Sequence, residues 1–152
     1  MIELPYATPS AVAILETPNH FLAEGRPDRD GALAYSGRVQ LFGGHMDEGE
    51  LPAQTIRREL REELGLELPA DPNLLWNGLV ESQLRDGTPA LRHVNLFHVA
   101  ILNTDGLTMK VPGDIVSISK TNEGLEEYRG RLTKFAYDSL SKVIRGEFTT
   151  DV

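Results

Sequence analysis

The stretch GHMDEGELPAQTIRRELREELGL, residues 44–66, holds five glutamates, and three of them recur at Glu59, Glu62 and Glu63. At about 100° per residue these three fall on one flank of a helix, spanning about 100°. Arg57, Arg58 and Arg61 take the opposite flank, and Ala53, Ile56, Leu60 and Leu64 form the apolar stripe between them. A helix built only for solubility intersperses its signs, because opposite charges at i,i+4 attract and like charges repel. Here Glu59 and Glu63 are like-charged at i,i+4 with Glu62 beside them. Such a cluster is unfavourable until a proton or a cation neutralises it. Carboxylate oxygens suit hard cations, Mg²⁺ or Mn²⁺, rather than zinc. On this reading the helix is a platform for such a cation. A solvated acidic face is the competing reading of the helix taken alone.

The elements that must hold these groups follow from pattern and punctuation. The helix is predicted over Pro52 to Leu64, with proline in its first turn and Gly65 as its stop. Before it, Ala11 to Glu16 and His20 to Glu24 read as strands around a Thr17-Pro18-Asn19 turn. Arg26 to Gly31 reads as a charged loop, and Arg38 to Phe42 as a strand ending in Gly43-Gly44. The small glycines let backbone come close to a cation. After the helix, Leu75 to Arg85 and Leu91 to Leu102 read as a hairpin about Asp86-Gly87, and a short strand covers Asp114 to Ile118. A last helix runs from an N-cap at Thr133 to Arg145, with Gly146 as its stop. Strands interleaved with two predicted helices give an α/β or α+β chain, a mixed sheet between helices.

The spacing around the glutamates is more specific than the cluster. A glycine, five residues, a glutamate, seven residues, then Arg-Glu-apolar-any-Glu-Glu-any-Gly-apolar is the Nudix box. Gly44, Glu50, Arg58, Glu59, Leu60, Glu62, Glu63, Gly65 and Leu66 fill its nine specified places. With about 5–7% usage for each fixed residue, a chance match in a chain of this size is on the order of one in ten million. The chain therefore resembles the Nudix hydrolases. The resemblance implies an αβα sandwich, hydrolysis of a nucleoside diphosphate linked to another group, Mg²⁺ as cofactor with Mn²⁺ as a substitute, and a possible homodimer. By position, Glu59 and Glu63 would be metal ligands and Glu62 a further ligand or the water-activating base. Arg58 would hold a box carboxylate, Glu50 would bond within the loop–helix turn, and a backbone carbonyl near Gly43-Gly44 would complete the set. A fourth acid from a later loop often joins this family's site, and Asp114, Glu123, Glu126 and Glu127 are the candidates. One departure is Phe42, where many members carry proline before the glycines.

Composition narrows the rest. The chain has 152 residues, enough for one domain but not two, with 40% hydrophobic and 25% charged residues. Its net charge of −8 makes a poor platform for nucleic acid and repels phosphorylated molecules unless the sign is reversed locally. No apolar run reaches membrane-spanning length, and the first residues lack a signal-peptide order, so a cytoplasmic location is the default. The absence of cysteine excludes thiol nucleophiles, cysteine-ligated zinc and the usual chemistry of the isopentenyl diphosphate isomerases that share the fold. A ligand-sensing Nudix module is the rival reading, although such modules tend to lose box glutamates.

Substrate signatures outside the box are weak. Val80-Glu81-Ser82 stands where ADP-ribose hydrolases carry proline, and no tyrosine marks the dinucleoside polyphosphate type. Ser36-Gly37-Arg38-Val39 is only faintly similar to the coenzyme A hydrolases. His45 is a candidate phosphate contact. His93 and His98 are five apart and must face opposite sides of a strand. Trp76 reads as core, and Ser139 and Ser141 as surface positions.

Overall fold

Along the first strand, alternate residues enter two different cores, and this period of two fixes the layering. Ala11, Ala13 and Leu15 pack on one side with Leu22, Phe42, Ile56, Leu60, Leu64, Phe97 and Val99. Val12 and Ile14 pack on the other with Phe21, Ala23, Leu96, Ile118, Leu125 and Leu140. The computed structural model describes residues 3–27 and 37–148, as a mixed α+β fold with helices on both faces of one sheet.

In chain order the strands are β1 (Ser10–Glu16), β2 (His20–Gly25), β3 (Val39–Gln40) and β4 (Phe42–His45), followed by α1 (Pro52–Leu64). Then come β5 (Asn73–Gln83), β6 (Pro89–Ala100), β7 (Asp114–Ser119), α2 (Asn122–Tyr128) and α3 (Lys134–Ile144). Among the described residues the sheet has seven strands, with β3-β2-β1-β6-β5 as its main path, β4 added on β1 and β7 on β2. Only β1 and β6 pair parallel among the named strands, and β5–β6 is the expected antiparallel hairpin.

Three sequence expectations need amendment. The strand expected over Arg38 to Phe42 is two short strands, and the second continues through Gly43 and Gly44 to His45. It bends at Leu41 because β3 must pair with the end of β2 while β4 pairs with the start of β1. Helix α2, absent from the expected elements, is only seven residues long, too short for helical periodicity to register. Its N-cap, Thr121, accepts a hydrogen bond from the Gly124 amide at 2.9 Å. Ser139 and Ser141, expected at the surface, are buried on α3; small hydroxyls carry no apolar signature that would announce it. The charged loop expected over Arg26 to Gly31 lies outside the described residues from position 28 onward.

Helix α1 is a firm platform. Ile56, Leu60 and Leu64 are fully buried, each contributing about 1.5–3 kcal/mol by leaving water. Leu51 precedes it in extended backbone, its amide taken by Gln54 Oε1 at 2.8 Å. Gly65 ends it in the left-handed region, at φ 68°, donating to the Arg61 carbonyl at 2.9 Å while Leu66 donates to Leu60. The segment after β6 then docks on that end, with the Lys110 amide donating to the Glu63 carbonyl at 2.8 Å. No described helix is long and apolar enough to cross a membrane.

Candidate functional site

Strand β4 brings the glycines against the acidic flank of α1. Gly43 and Gly44 pair with Val12 and Ala11 of β1. Phe42, in place of the family's common proline, is fully buried under α1 and pins the strand down. Gly43 sits at φ 138°, and a methyl there would lie 2.2 Å from the Ala11 carbonyl oxygen. Its amide donates to Glu63 Oε1 at 3.1 Å. A methyl on Gly44 would lie 2.6 Å from the Glu59 carboxylate, so the missing side chain is the space that carboxylate fills.

These contacts separate two substitutions. Gly43→Ala collides with backbone that cannot yield and is expected to cost about 1–3 kcal/mol in denaturant unfolding. Gly44→Ala meets only the mobile end of Glu59. It should leave the unfolding midpoint nearly unchanged while slowing turnover roughly 10–100-fold by displacing the Glu59 carboxylate.

The box glutamates occupy three different environments. Glu63 is buried, at 6% exposure, and in contact with Glu59. Its carboxyl is pushed well above the ordinary range, first by burial, then by a hydrogen bond with Glu24 and by the charges of Glu24 and Glu59; the Gly43 amide opposes this. Glu59 is also raised, mainly by burial, against the lowering pull of Arg58. Glu62 stands at the rim with its side chain 56% exposed, touched by Arg58 Nη1 at 3.3 Å.

Arg58 is the hub, and its reach revises the idea of separate flanks. Although its Cα lies toward the arginine side, the long guanidinium crosses over to the acids. Nε and Nη2 bond both Glu50 oxygens at 2.8 and 3.0 Å, Nη1 bonds Glu59 at 3.0 Å, and Nη2 bonds the His45 carbonyl at 3.0 Å. Glu50 also accepts from the Asp47 amide and the Thr55 hydroxyl, inside the loop–helix turn. Arg58 draws its carboxyl down to about 2. Arg57 and Arg61 turn away, to Asp71 and Glu67.

Glu24 is a buried acid that no motif spacing marks. It lies on β2 at 2% exposure, alternating in phase with Leu22 toward the α1 side. The available signal was a charged residue at an inward position of an apolar strand. Of the later acids, Asp114 is placed nearby, opposite Gly25 on β7. Glu123, Glu126 and Glu127 ride on α2, beyond the Ser119 end of β7, five residues or about 16 Å along the strand. Glu126 there bonds Tyr137 and Arg129. His93 and His98 do face opposite ways, and buried His98 meets Glu16 at 2.7 Å in the layer away from α1. Trp76 lies at the sheet edge, 37% exposed and tilted against Phe135.

Among the described residues no three acidic or imidazole side chains present a ready ligand set, since Glu63 turns to Gly43 and Glu24 while Arg58 holds Glu59 and Glu62. The donor set nevertheless fits a hard cation: carboxylates only, crowded and partly buried, against a strand stripped of side chains. His45, just past the glycines, is held below its ordinary value by partial desolvation and by the charges of Arg92, Arg85 and Arg26.

A model of the Nudix domain matches residues 7–136. The chain belongs to the Nudix family. Nudix membership makes it a hydrolase of pyrophosphate bonds. No curated protein matches it. Among solved structures, a MutT protein from Methanosarcina mazei Go1 aligns at TM-score 0.71 and 20% identity, covering 97% of this chain and 99% of that one. The NUDIX domain of Shewanella oneidensis NrtR, complexed with ADP ribose, aligns at 0.68 and 15% identity over 97% and 90%. A bifunctional NMN adenylyltransferase/ADP ribose pyrophosphatase from Francisella tularensis, complexed with AMP and Mn, aligns at 0.68 and 19% over 96% of this chain and 43% of that longer one. At such identities the likeness is one of fold.

Proposed function

We propose that this Nudix chain is a Mg²⁺-dependent pyrophosphohydrolase that cleaves the diphosphate linkage of a nucleoside diphosphate derivative. A nucleoside triphosphate or a nucleotide-sugar-like molecule is the substrate class, and water attacks phosphorus. The observation that carries the reading is the crowded pair Glu59 and Glu63, held against the side-chain-free strand at Gly43-Gly44. The nucleotide and the Mn in the Francisella tularensis structure and the ADP ribose in the Shewanella oneidensis one support the choice of ligand.

Glu59, Glu63 and the Gly43 carbonyl would hold the cation, with Mn²⁺ as a substitute for Mg²⁺. When bound, the cation supplies charge neutralisation for the diphosphate and lowers the pKa of water. Glu62 is the residue best placed to accept the proton of the attacking water, being the most exposed of the three and held by one long bond. Arg58 keeps Glu59 and Glu62 aimed at one region and draws Glu50 out of competition.

The test is a Mg²⁺-dependent hydrolysis screen over nucleoside triphosphates, ADP-ribose, nucleotide sugars, dinucleoside polyphosphates and coenzyme A, with products resolved by chromatography. One substrate consumed by the wild type and spared by Glu63→Gln is the expected result. Silence across the panel, with Mg²⁺ still bound, would point to a ligand-sensing module instead.

A further inference from the structure

Among the described residues β5 closes one end of the sheet, and no strand pairs with its outer side. Which of its groups face outward follows from β6. Leu91 turns both main-chain groups away from β5, its amide donating to the Pro5 carbonyl and its carbonyl accepting from the Ala7 amide. Main-chain direction alternates along a strand, so Ala90, Arg92, Val94 and Leu96 turn toward β5. There they meet Ser82, Val80, Gly78 and Trp76. Asn77, Leu79 and Glu81 lie between these in the chain and present amide and carbonyl to the open side, and all three are exposed. A long edge is ordinarily blunted by lysine, proline or a bulge. Strand β5 has eleven residues without lysine or proline, and its one irregularity lies back at Leu74 and Trp76. From Asn77 onward the edge is bare.

We propose that β5 pairs antiparallel with β5 of a second copy, about a two-fold axis at Leu79, so that two sheets become one. In such a pair outward residues oppose outward residues, and the axis chooses the partners. An axis at Glu81 would set that carboxylate against its own copy, in a chain whose net charge is already −8. An axis at Val80 would set Leu79 against Glu81. An axis at Gly78 would crowd two indoles together, because Trp76 lies over that glycine, its Cζ2 only 2.6 Å from where a Cβ would stand. Closer to the start, the irregularity at Leu74 and Trp76 breaks the phase. With the axis at Leu79 the side chains complement one another. Leu79, 51% exposed, meets its copy, and Asn77 stands opposite Glu81 on both sides of the axis, where its amide can donate to the carboxylate. On the other face Val80 stands opposite Gly78, against the exposed part of the Trp76 indole. The acidic flank of α1 lies over β4, on the far side of β1 from this edge, so pairing leaves it open.

The chain contains no cysteine, so a single introduced thiol reports the register. Residues opposed in a hydrogen-bonded antiparallel pair have Cα atoms about 5.5 Å apart, within disulfide reach. Under copper phenanthroline, Leu79→Cys is expected to cross-link to its copy roughly 10-fold or more faster than Glu81→Cys. The two copies of position 81 stand four residues apart along the pair, about 14 Å. Sedimentation equilibrium of the wild type from about 1 to 500 µM should show a dimer with a dissociation constant on the order of micromolar, as suits a small interface. Leu79→Lys, which sets two ammonium groups at the axis, should weaken it roughly 10-fold or more with an unchanged circular dichroism spectrum. A wild type that stays monomeric throughout overturns the proposal and leaves the edge bare or to another protein's strand. A dimer that Leu79→Lys does not weaken overturns it too, as does equal cross-linking at positions 79 and 81, because the copies then meet elsewhere or in another register.

Discussion

Replacing Glu63 with glutamine is expected to abolish turnover while making the metal-free protein more stable. On the proposed metal role of Glu63 the substitution removes an anionic ligand, and a drop in kcat of roughly 10²–10⁴-fold or more is expected, together with weaker Mg²⁺ binding. The gain in stability follows from burial. The Glu63 carboxyl is raised from its ordinary 4.5 in the folded protein, first because it is desolvated. A raised carboxyl favours the fold below pH 4.5, and that contribution fades as pH climbs toward the folded-state value. At pH 8 in EDTA the folded chain therefore resists an ionisation that the unfolded chain accepts freely. Glutamine has no such ionisation, accepts from the Gly43 amide and donates toward Glu24 as the protonated acid would. A gain of about 1–3 kcal/mol is expected, on a scale of about 1.4 kcal/mol per tenfold change in proton affinity. Thermal unfolding at pH 5 and pH 8 measures it: the wild type should lose more stability between the two than the variant, which keeps only the raised Glu59. Saturating Mg²⁺ should reverse the order, stabilising the wild type more. Undiminished hydrolysis by the variant would remove the central assignment.

The second large effect is expected from Arg58→Ala. The guanidinium serves Glu50, Glu59, Glu62, Asp47 and the His45 carbonyl from one position, with its side chain only 24% exposed. Deleting it leaves Glu50 and Glu59, at 12% and 16% side-chain exposure, without their cation. Removing one partner of such a cluster costs about 3 kcal/mol, and the disordered ligands should slow hydrolysis roughly 10–100-fold. Acid resistance should go with it. Glu50 is depressed from 4.5 to about 2 by Arg58, so its contribution is present above pH 4.5 and lost as pH falls through about 2. In the variant that contribution is missing at neutral pH already. Arg57→Ala is the matched control: its bonds to Asp71 and the Leu68 carbonyl lie away from the acids, and a change within about 1 kcal/mol and an ordinary rate are expected. Equal rates for the two variants would contradict the division of labour.

Much of this molecule is legible along the chain because its determinants are local. The Pro52 start, the Gly65 stop and the apolar stripe through Ile56, Leu60 and Leu64 specify α1 without reference to the rest of the fold. The Thr133 cap does the same for α3. The nine fixed places from Gly44 to Leu66 carry the family assignment for the same reason: they sit within one loop and one helix.

Position in space is a different matter, since it depends on which strands become neighbours. Nothing between Gly25 and Val39 in the sequence announces that β3 will lie against the end of β2, yet that pairing brings Gln40 to Glu24. Likewise the β4–β1 register decides that Gly44, and not a neighbour, faces Glu59. Helix α2 is not legible along the chain because seven residues complete barely two turns, and its helical state is secured by a cap and by the packing of Leu125 into the core. Charge sorting on the wheel was similarly incomplete. It locates Cα atoms, whereas the guanidinium of Arg58 travels the length of its side chain to join the acids.

The sequence by itself thus determined the family to which this protein belongs, because the nine fixed places from Gly44 to Leu66, carboxylates among them, stand at set intervals on one short segment. Only the tertiary structure decided how those carboxylates are held, which of them is buried, and that Glu24 meets them from a strand thirty-nine residues away from Glu63. The physical reason is that burial and hydrogen-bond partners are properties of the packed sheet–helix interface. They come into existence when β2, β4 and α1 close on one another, and no spacing within any one of them encodes that meeting.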